Sequence, residues 1–80
     1  MEPYIGQIQA FSFNYAPRGW VVCDGQLLSV AQYQPLFALL GPRFGGNGTT
    51  TFAVPDLRNA SLANSCLYYI ATEGLWPSQN

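Results

Sequence analysis

The sequence carries very little charge. Charged residues make up 9% of its 80 residues, against about 25% in an ordinary soluble domain, and neither lysine nor histidine occurs. The charged residues are Glu2, Arg18, Asp24, Arg43, Asp56, Arg58 and Glu73. A monomer normally needs a charged surface without apolar patches to stay in solution. The composition therefore predicts a surface covered by copies of the chain or by a partner. The alternative is a monomer kept soluble by its Asn, Gln, Ser and Thr.

Further absences exclude several classes of function. The net charge is -1 and no basic cluster occurs, which argues against binding to nucleic acid, where phosphates must be neutralised. No apolar run approaches the roughly 20 residues of a membrane span. The start, Met1-Glu2-Pro3, lacks the basic segment and apolar core of a signal peptide. An extracellular destination would then require lysis or a dedicated export route.

Residues suited to catalysis or metal binding are also scarce. Without histidine and with only Cys23 and Cys66, the sequence predicts neither a structural zinc site nor any other cofactor. No paired carboxylates occur, and no Ser or Cys stands beside an evident base. Both cysteines lie in apolar, strand-like runs, where a buried thiol is expected, and a disulfide between them stays open. We therefore predict that the chain is not an enzyme.

The apolar pattern predicts a small domain of the α+β class, mainly antiparallel β with one short helix. Strands are expected at 4–11, 20–23, 26–28 and 67–72, and a further extended segment at 50–54. Asp24-Gly25 predicts a reversal that joins the second and third strands as a hairpin, because Gly accepts a positive φ. Gly6 is expected to mark a bulge or a site of close packing in the first strand.

One short helix is predicted after the third strand. Ser29 and Gln32 have the spacing of a capping box around a first turn. Pro35 is tolerated only near a helix start, so the main helix is expected to begin there. Gly41 and Pro42 predict its end.

A loop with three glycines, Gly45, Gly46 and Gly48, follows the helix. A phosphate-binding loop is disfavoured because no Lys follows and no helix begins after it. We expect a loop that packs through its backbone against its own fold.

Taken in order, these pieces resemble the phage tail collar domain, known from short tail fibres and bacterial microcystin-dependent proteins. The matching motifs are Tyr4-Ile5-Gly6, Pro17-Arg18-Gly19-Trp20, Cys23-Asp24-Gly25-Gln26, Leu36-Phe37-Ala38-Leu39-Leu40-Gly41, Gly45-Gly46 and Phe52-Ala53-Val54-Pro55-Asp56-Leu57-Arg58. The resemblance is nearly continuous over residues 1–58. The last segment, residues 66–80, resembles the closing strand of the same proteins.

Two departures bear on function. Asn59 and Ala60 stand where the family usually has Gly and a second Arg. The family's long insertion before the closing strand is replaced by a short connector, residues 59–65. In short tail fibres the insertion region helps to form the receptor-binding tip. We therefore predict a single domain with a collar core at 1–58, the connector, and a closing strand and tail at 66–80.

The first functional hypothesis is a structural one. The chain would be a subunit of a homo-oligomeric tail-like fibre or extracellular filament, located in a virion tail or outside the cell. Its partners would be copies of itself, as a trimer or filament, and other tail proteins. The residues expected to hold the fold or the assembly are Trp20, Asp24, Gly25, Phe37, Asp56, Arg58 and Trp76. Asp24 and Arg58 are predicted to pair, within one chain or between subunits, the alternative being two solvated turn residues.

The second hypothesis is a binding module for a surface glycan or another receptor. Tyr15, Phe44 and Trp76 would stack on sugar rings, and Asn47 and Thr49 would hydrogen-bond their hydroxyls. The alternative is that these aromatic rings pack at contacts between subunits.

Overall fold

The computed structural model describes residues 2–59 and 66–78 of the chain. Six elements follow one another: β1 (Ile8–Phe11), β2 (Trp20–Val22), β3 (Leu27–Ser29), α1 (Gln34–Leu40), β4 (Thr51–Ala53) and β5 (Leu67–Ala71). They form an antiparallel three-stranded sheet in the order β1-β5-β2 and an antiparallel pair of β3 with β4. The prediction of a small α+β domain with one short helix is confirmed. Of the predicted connector, residues 60–65 lie outside the described residues.

The three-stranded sheet is built around β5. Ile70 lies opposite Ile8 of β1 on one side and Val21 of β2 on the other. The predicted first strand, 4–11, is interrupted: β1 begins at Ile8, and Gly6 has a φ of +86°. Before this break the chain forms a separate parallel bridge between Tyr4 and Leu75. A backbone with positive φ cannot continue a regular strand, which explains the interruption.

The predicted hairpin at Asp24-Gly25 is wrong. β2 pairs with β5 and β3 pairs with β4, so the turn carries the chain from one sheet to the other. Gly25 does adopt the expected positive φ, +81°. The turn was therefore predicted correctly from neighbouring residues. The strand partners, in contrast, are determined by contacts between distant parts of the chain.

The helix begins and ends close to its predicted bounds. The N–H of Gln32 donates to the hydroxyl oxygen of Ser29 (3.4 Å), which caps a turn that precedes α1. Pro35 is the second helical residue, one position later than predicted and still within the turn that tolerates it. The N–H of Gly41 donates to the carbonyl of Phe37 (2.7 Å) and ends the helix.

Each face of the three-stranded sheet is covered by a different layer. The main core lies between this sheet, α1 and the β3–β4 pair, and contains Cys23, Leu28, Leu36, Leu40, Phe52, Val54 and Ile70. The opposite face carries what we call the aromatic layer: Phe11, Phe13, Tyr15, Trp20 and Tyr69. The Tyr69 hydroxyl donates to the carbonyl of Phe13 (2.9 Å), which draws the segment after β1 over the sheet.

The glycine loop packs against the outer edge of β4, as predicted. The N–H of Ala53 donates to the carbonyl of Gly45 (3.1 Å), and the N–H of Gly48 donates to the carbonyl of Thr51 (2.9 Å). The side-chain carbonyl of Asn47 accepts hydrogen bonds from the N–H groups of three following residues, Thr49, Thr50 and Thr51, at 2.8, 2.8 and 3.1 Å. Among the described residues, no helix is both long and apolar enough to cross a membrane.

The tight approach of this loop to β4 predicts a large cost for a side chain at Gly46. A Cβ there would lie 2.5 Å from the Cα of Phe52 at a φ of +86°. We expect Gly46→Ala to lower the free energy of unfolding by about 3 kcal/mol, measured by urea denaturation. Gly6→Ala is the matched control, because Gly6 has the same φ and a Cβ there would meet only the flexible ends of Leu39 and Leu36, at 3.6 and 4.0 Å. Equal losses in the two variants would contradict the close packing of the loop.

Candidate assembly site

The segment Cys23-Asp24-Gly25-Gln26 pairs with the segment Pro55-Asp56-Leu57-Arg58. Asp24 and Asp56 form an antiparallel bridge, in which the N–H of Leu57 donates to the carbonyl of Cys23 (2.9 Å). The N–H of Gly25 donates to the carbonyl of Pro55 (3.3 Å). The segment that follows β2 is thereby joined to the segment that follows β4. Three of the predicted structural residues thus come together and connect the two sheets.

The turn at Asp24 is held by its own side chains. The Asp24 carboxylate accepts a hydrogen bond from the N–H of Gln26 (3.0 Å). The side-chain amide of Gln26 donates in turn to the carbonyl of Val22 (3.1 Å). The Asp24 carboxylate therefore has a local structural role in the turn.

The predicted pairing of Asp24 with Arg58 within the chain is wrong. Arg58 instead forms a two-pronged ion pair with Asp56: Nη2 to Oδ2 at 2.7 Å and Nε to Oδ1 at 2.9 Å. Residues two apart in an extended segment lie on the same side, so this pair forms with little loss of chain entropy. Asp24 acts on Arg58 only as a weaker, more distant charge that helps to raise the pKa of Arg58, behind the hydrogen bond and charge of Asp56.

The Asp56–Arg58 pair changes the titration of its carboxyl group. Hydrogen bonds from Arg58 lower the pKa of Asp56 from 3.8 to about 2. Both side chains are exposed, so solvent screens the pair and its contribution to stability is small. Its clearer effect is to neutralise two of the few charges on the surface.

Cys23 is a buried structural residue. Its side chain is 1% exposed in the main core, and the cysteine forms no disulfide. Burial, with a smaller contribution from the Asp24 charge, raises the pKa of the thiol from 9.0 to about 11. Cys23 is therefore almost entirely a thiol near neutral pH, which is unsuited to nucleophilic chemistry.

An exposed apolar surface lies where the two ends of the described chain meet. We call it the terminal patch; it consists of Tyr4, Leu39, Leu75, Trp76 and Pro77. Two adjoining clefts, of about 580 and 530 Å³, share Tyr4 and Pro77 among their lining residues. Tyr4, Leu75 and Trp76 are 53%, 48% and 52% exposed. Apolar surface of this kind typically marks a contact with another molecule.

Backbone pairing between distant residues creates the terminal patch. The N–H of Ile5 donates to the carbonyl of Leu75, and the N–H of Leu75 donates to the carbonyl of Pro3, both at 2.9 Å. Sequence reasoning identified Trp76 but missed Tyr4 and Leu75. The separation of these two residues along the chain left no local pattern that could have linked them.

The remaining predicted site residues are distributed over the molecule. Phe37 is half-buried and packs against Phe52, with ring centroids 5.3 Å apart, so it supports the core. Trp20 meets Phe11 edge-on within the aromatic layer, with ring centroids 5.2 Å apart. Tyr15 continues the same layer, stacked on Phe13 at 4.8 Å and 66% exposed.

The residues expected to contact a ligand do not form one cluster. Phe44 is 44% exposed beneath the guanidinium of Arg43, which lies 5.2 Å from the ring centroid. Among the ring contacts of the described residues, none joins Tyr15, Phe44 and Trp76. Asn47 and Thr49 lie in the glycine loop, where the Asn47 side chain already binds the backbone. No three His, Cys, Asp or Glu residues within 2–59 and 66–78 are placed to hold a metal ion together.

Comparison with known proteins identifies a family and a relative. The family model of the phage tail collar domain matches residues 6–62. Protein RhiB of Rhizobium leguminosarum bv. viciae is 40% identical over 48 residues, which cover 56% of this chain and 22% of RhiB. No solved structure matches the chain.

The ion pair predicts a titration that can be measured directly. We expect the Asp56 carboxyl to titrate near pH 2 and to return towards 3.8 in Arg58→Ala, followed by NMR of its carboxyl carbon. Because the folded-state pKa is depressed, the stabilisation from this pair is present above pH 3.8 and is lost as the pH falls through about 2. Arg43→Ala is the control and should leave the titration unchanged. An Asp56 midpoint that does not move in Arg58→Ala would refute the pairing.

Proposed function

Because the chain belongs to the phage tail collar domain family, we propose that it is a structural subunit of a homo-oligomeric tail-like fibre or extracellular filament. The family indicates a structural role in tail fibres. The finer proposal is that copies of this chain assemble through apolar and aromatic surfaces, without catalysis. A trimer and a filament are both compatible with such surfaces.

The observation that carries this proposal is the terminal patch on a chain with so little charge. Tyr4, Leu75 and Trp76 each expose about half of their surface around adjoining clefts. Among the described residues, Arg43 is the single charged one that lines these clefts. Large exposed apolar patches favour association, and a two-fold contact would bring the same patch of two copies together. Assembly would remove this surface from water.

The short connector favours a structural role over receptor binding. The resemblance to the family places a long insertion at residues 59–65, and in short tail fibres that region contributes to the receptor-binding tip. This chain has only a few residues there. Its remaining surface therefore favours contacts with its own copies or with other tail proteins, in a virion tail or an extracellular filament.

Self-association is tested by sedimentation velocity over a dilution series. We expect the protein to remain oligomeric at micromolar concentration and Trp76→Ser to raise the dissociation constant by about tenfold, because aromatic residues dominate such contacts. Phe44→Ser is the matched control: it removes an exposed aromatic ring outside the terminal patch. A wild-type chain that is monomeric at micromolar concentration would overturn the proposal. Equal effects of the two substitutions would place the contact elsewhere.

A second candidate function is binding of a surface glycan or receptor. The observation in its favour is the exposed ring of Tyr15 at the end of the aromatic layer, since an exposed aromatic face can stack on a sugar ring. Trp76 and Phe44 would offer further stacking rings, and Asn47 and Thr49 of the glycine loop would offer polar contacts. The engagement of Asn47 by its own loop makes this candidate the weaker of the two.

A glycan array on the assembled protein tests this second candidate. Binding through the aromatic rings predicts that any signal falls at least severalfold in Tyr15→Ala or Trp76→Ala and persists in Gln34→Ala, an exposed position on α1. Absence of signal from both assembled and monomeric protein would remove the glycan-binding hypothesis.

A further inference from the structure

The outer edge of β1 has backbone N–H and C=O groups that could pair with a further strand. The alternation of hydrogen bonds along β5 shows which groups these are. The N–H of Ala71 donates to the carbonyl of Gln7 (2.9 Å), so Gln7 faces β5. In an antiparallel ladder the facing residues alternate, so Gln9 and Phe11 also face β5, opposite Tyr69 and Leu67. The N–H and C=O groups of Ile8 and Ala10 therefore point outward.

The pairing on the other side of β5 gives the same assignment. The N–H of Cys23 donates to the carbonyl of Tyr68 (2.9 Å), and the N–H of Thr72 donates to the carbonyl of Gly19 (2.7 Å). Tyr68, Ile70 and Thr72 thus face β2, which leaves Leu67, Tyr69 and Ala71 to face β1. The backbone of β5 is used on both sides, and β1 is an outer strand.

The outer edges of β2, β3 and β4 have more of their backbone groups hydrogen-bonded than the outer edge of β1. On β2, the carbonyl of Val22 accepts from the Gln26 amide, and the N–H of Trp20 donates to Pro17. On β4, the glycine loop supplies hydrogen bonds. On β3, Ser29 engages the turn before α1, which leaves Leu27 as the outward residue. No loop or side chain of the described residues bonds the outward groups of Ile8 and Ala10.

The sequence of β1 lacks the charged and proline residues that usually protect an edge strand from pairing. Proteins commonly place Lys, Pro or an inward-pointing charge on an exposed edge strand to prevent pairing with another chain. Ile8-Gln9-Ala10-Phe11 contains none of these three, and no charged residue occurs anywhere from Pro3 to Pro17. Ile8 is also 42% exposed beside this edge. A second copy would therefore meet no like charge on the strand itself.

We propose that β1 of one copy pairs antiparallel with β1 of a second copy, across a two-fold axis that passes through Gln9. In this register Ile8 of each copy lies opposite Ala10 of the other, and each such pair exchanges two N–H···O bonds. It is the two-fold register in which both outward residues of each copy are paired. The two Gln9 residues face each other at the non-hydrogen-bonded position, where side chains are closest.

This pairing would extend the three-stranded sheet into a continuous sheet of two copies. It rests on the proposed function, because it specifies one contact of the proposed assembly. It uses a different surface from the terminal patch. A chain with an edge that pairs in this way and a second, distinct contact surface could be joined into longer polymers.

Proline substitutions at two successive positions of β1 test which backbone N–H groups point outward and which face β5. Ala10→Pro removes an outward N–H, so we expect a folded chain that no longer pairs through β1, seen as a smaller species in sedimentation velocity. Gln9→Pro is the matched control: it removes an N–H that faces β5, and we expect a clear fall in the melting temperature by circular dichroism. A folded Ala10→Pro chain that associates as the wild type does would overturn the β1 pairing and leave the proposed function standing. A monomeric wild-type chain would overturn both.

Opposite charges at Gln9 test the two-fold axis and do not depend on the proline variants. Gln9→Lys and Gln9→Glu each place like charges face to face, so each should raise the dissociation constant by about threefold or more. An equimolar mixture of the two should restore association, because Lys then faces Glu. Glu2 shares a cleft with Gln9 and is present in every variant. Its charge therefore cannot explain association that is regained only when the two variants are mixed. The same exchange at Gln34 is the control, and absence of rescue at Gln9 would rule out the axis.

Discussion

The insertion of β5 between β1 and β2 is the constraint on which the rest of this domain depends. Its five residues use their backbone groups on both sides and bring the last quarter of the chain between its first two strands. Ile70 points into the main core and Tyr69 into the aromatic layer, and both are almost completely buried. One short strand therefore organises both layers. Such pairing between distant segments has a high entropic cost, which a chain of this size must offset by burying apolar surface on both sheet faces.

The junction of the two sheets solves a second problem of a small domain. The β3–β4 pair would be only marginally stable alone. The bridge of Asp24 with Asp56 and the hydrogen bond between Leu57 and Cys23 tie it to the end of β2. The glycine loop covers its outer edge, and α1 covers part of the core. A pair of three-residue strands is thereby held from several directions, which explains why so much of this segment consists of turn residues.

Local features of the fold could be predicted from the sequence, whereas its long-range pairings could not. Ser29, Pro35 and Gly41 act through neighbouring residues, and the helix forms within one residue of its expected start. The turn at Gly25 forms as well, yet the hairpin that it suggested does not, because β2 finds its partner in β5. The same limit affects the candidate site. Trp76 could be selected as an exposed aromatic, but its neighbour Tyr4 is brought there only by pairing with Leu75.

The scarcity of charge is best understood from where the charges lie. Glu2, Arg18 and Glu73 line one cleft. Asp24, Asp56 and Arg58 gather at the junction of the sheets, where two of them neutralise each other. Arg43 borders the terminal patch. Strongly hydrated groups are thus concentrated in a few places, and β1 itself carries no charged residue, although Glu2 shares a cleft with Gln9. For the proposed structural subunit this distribution would have a direct consequence: association at the neutral surfaces would require little desolvation of charge.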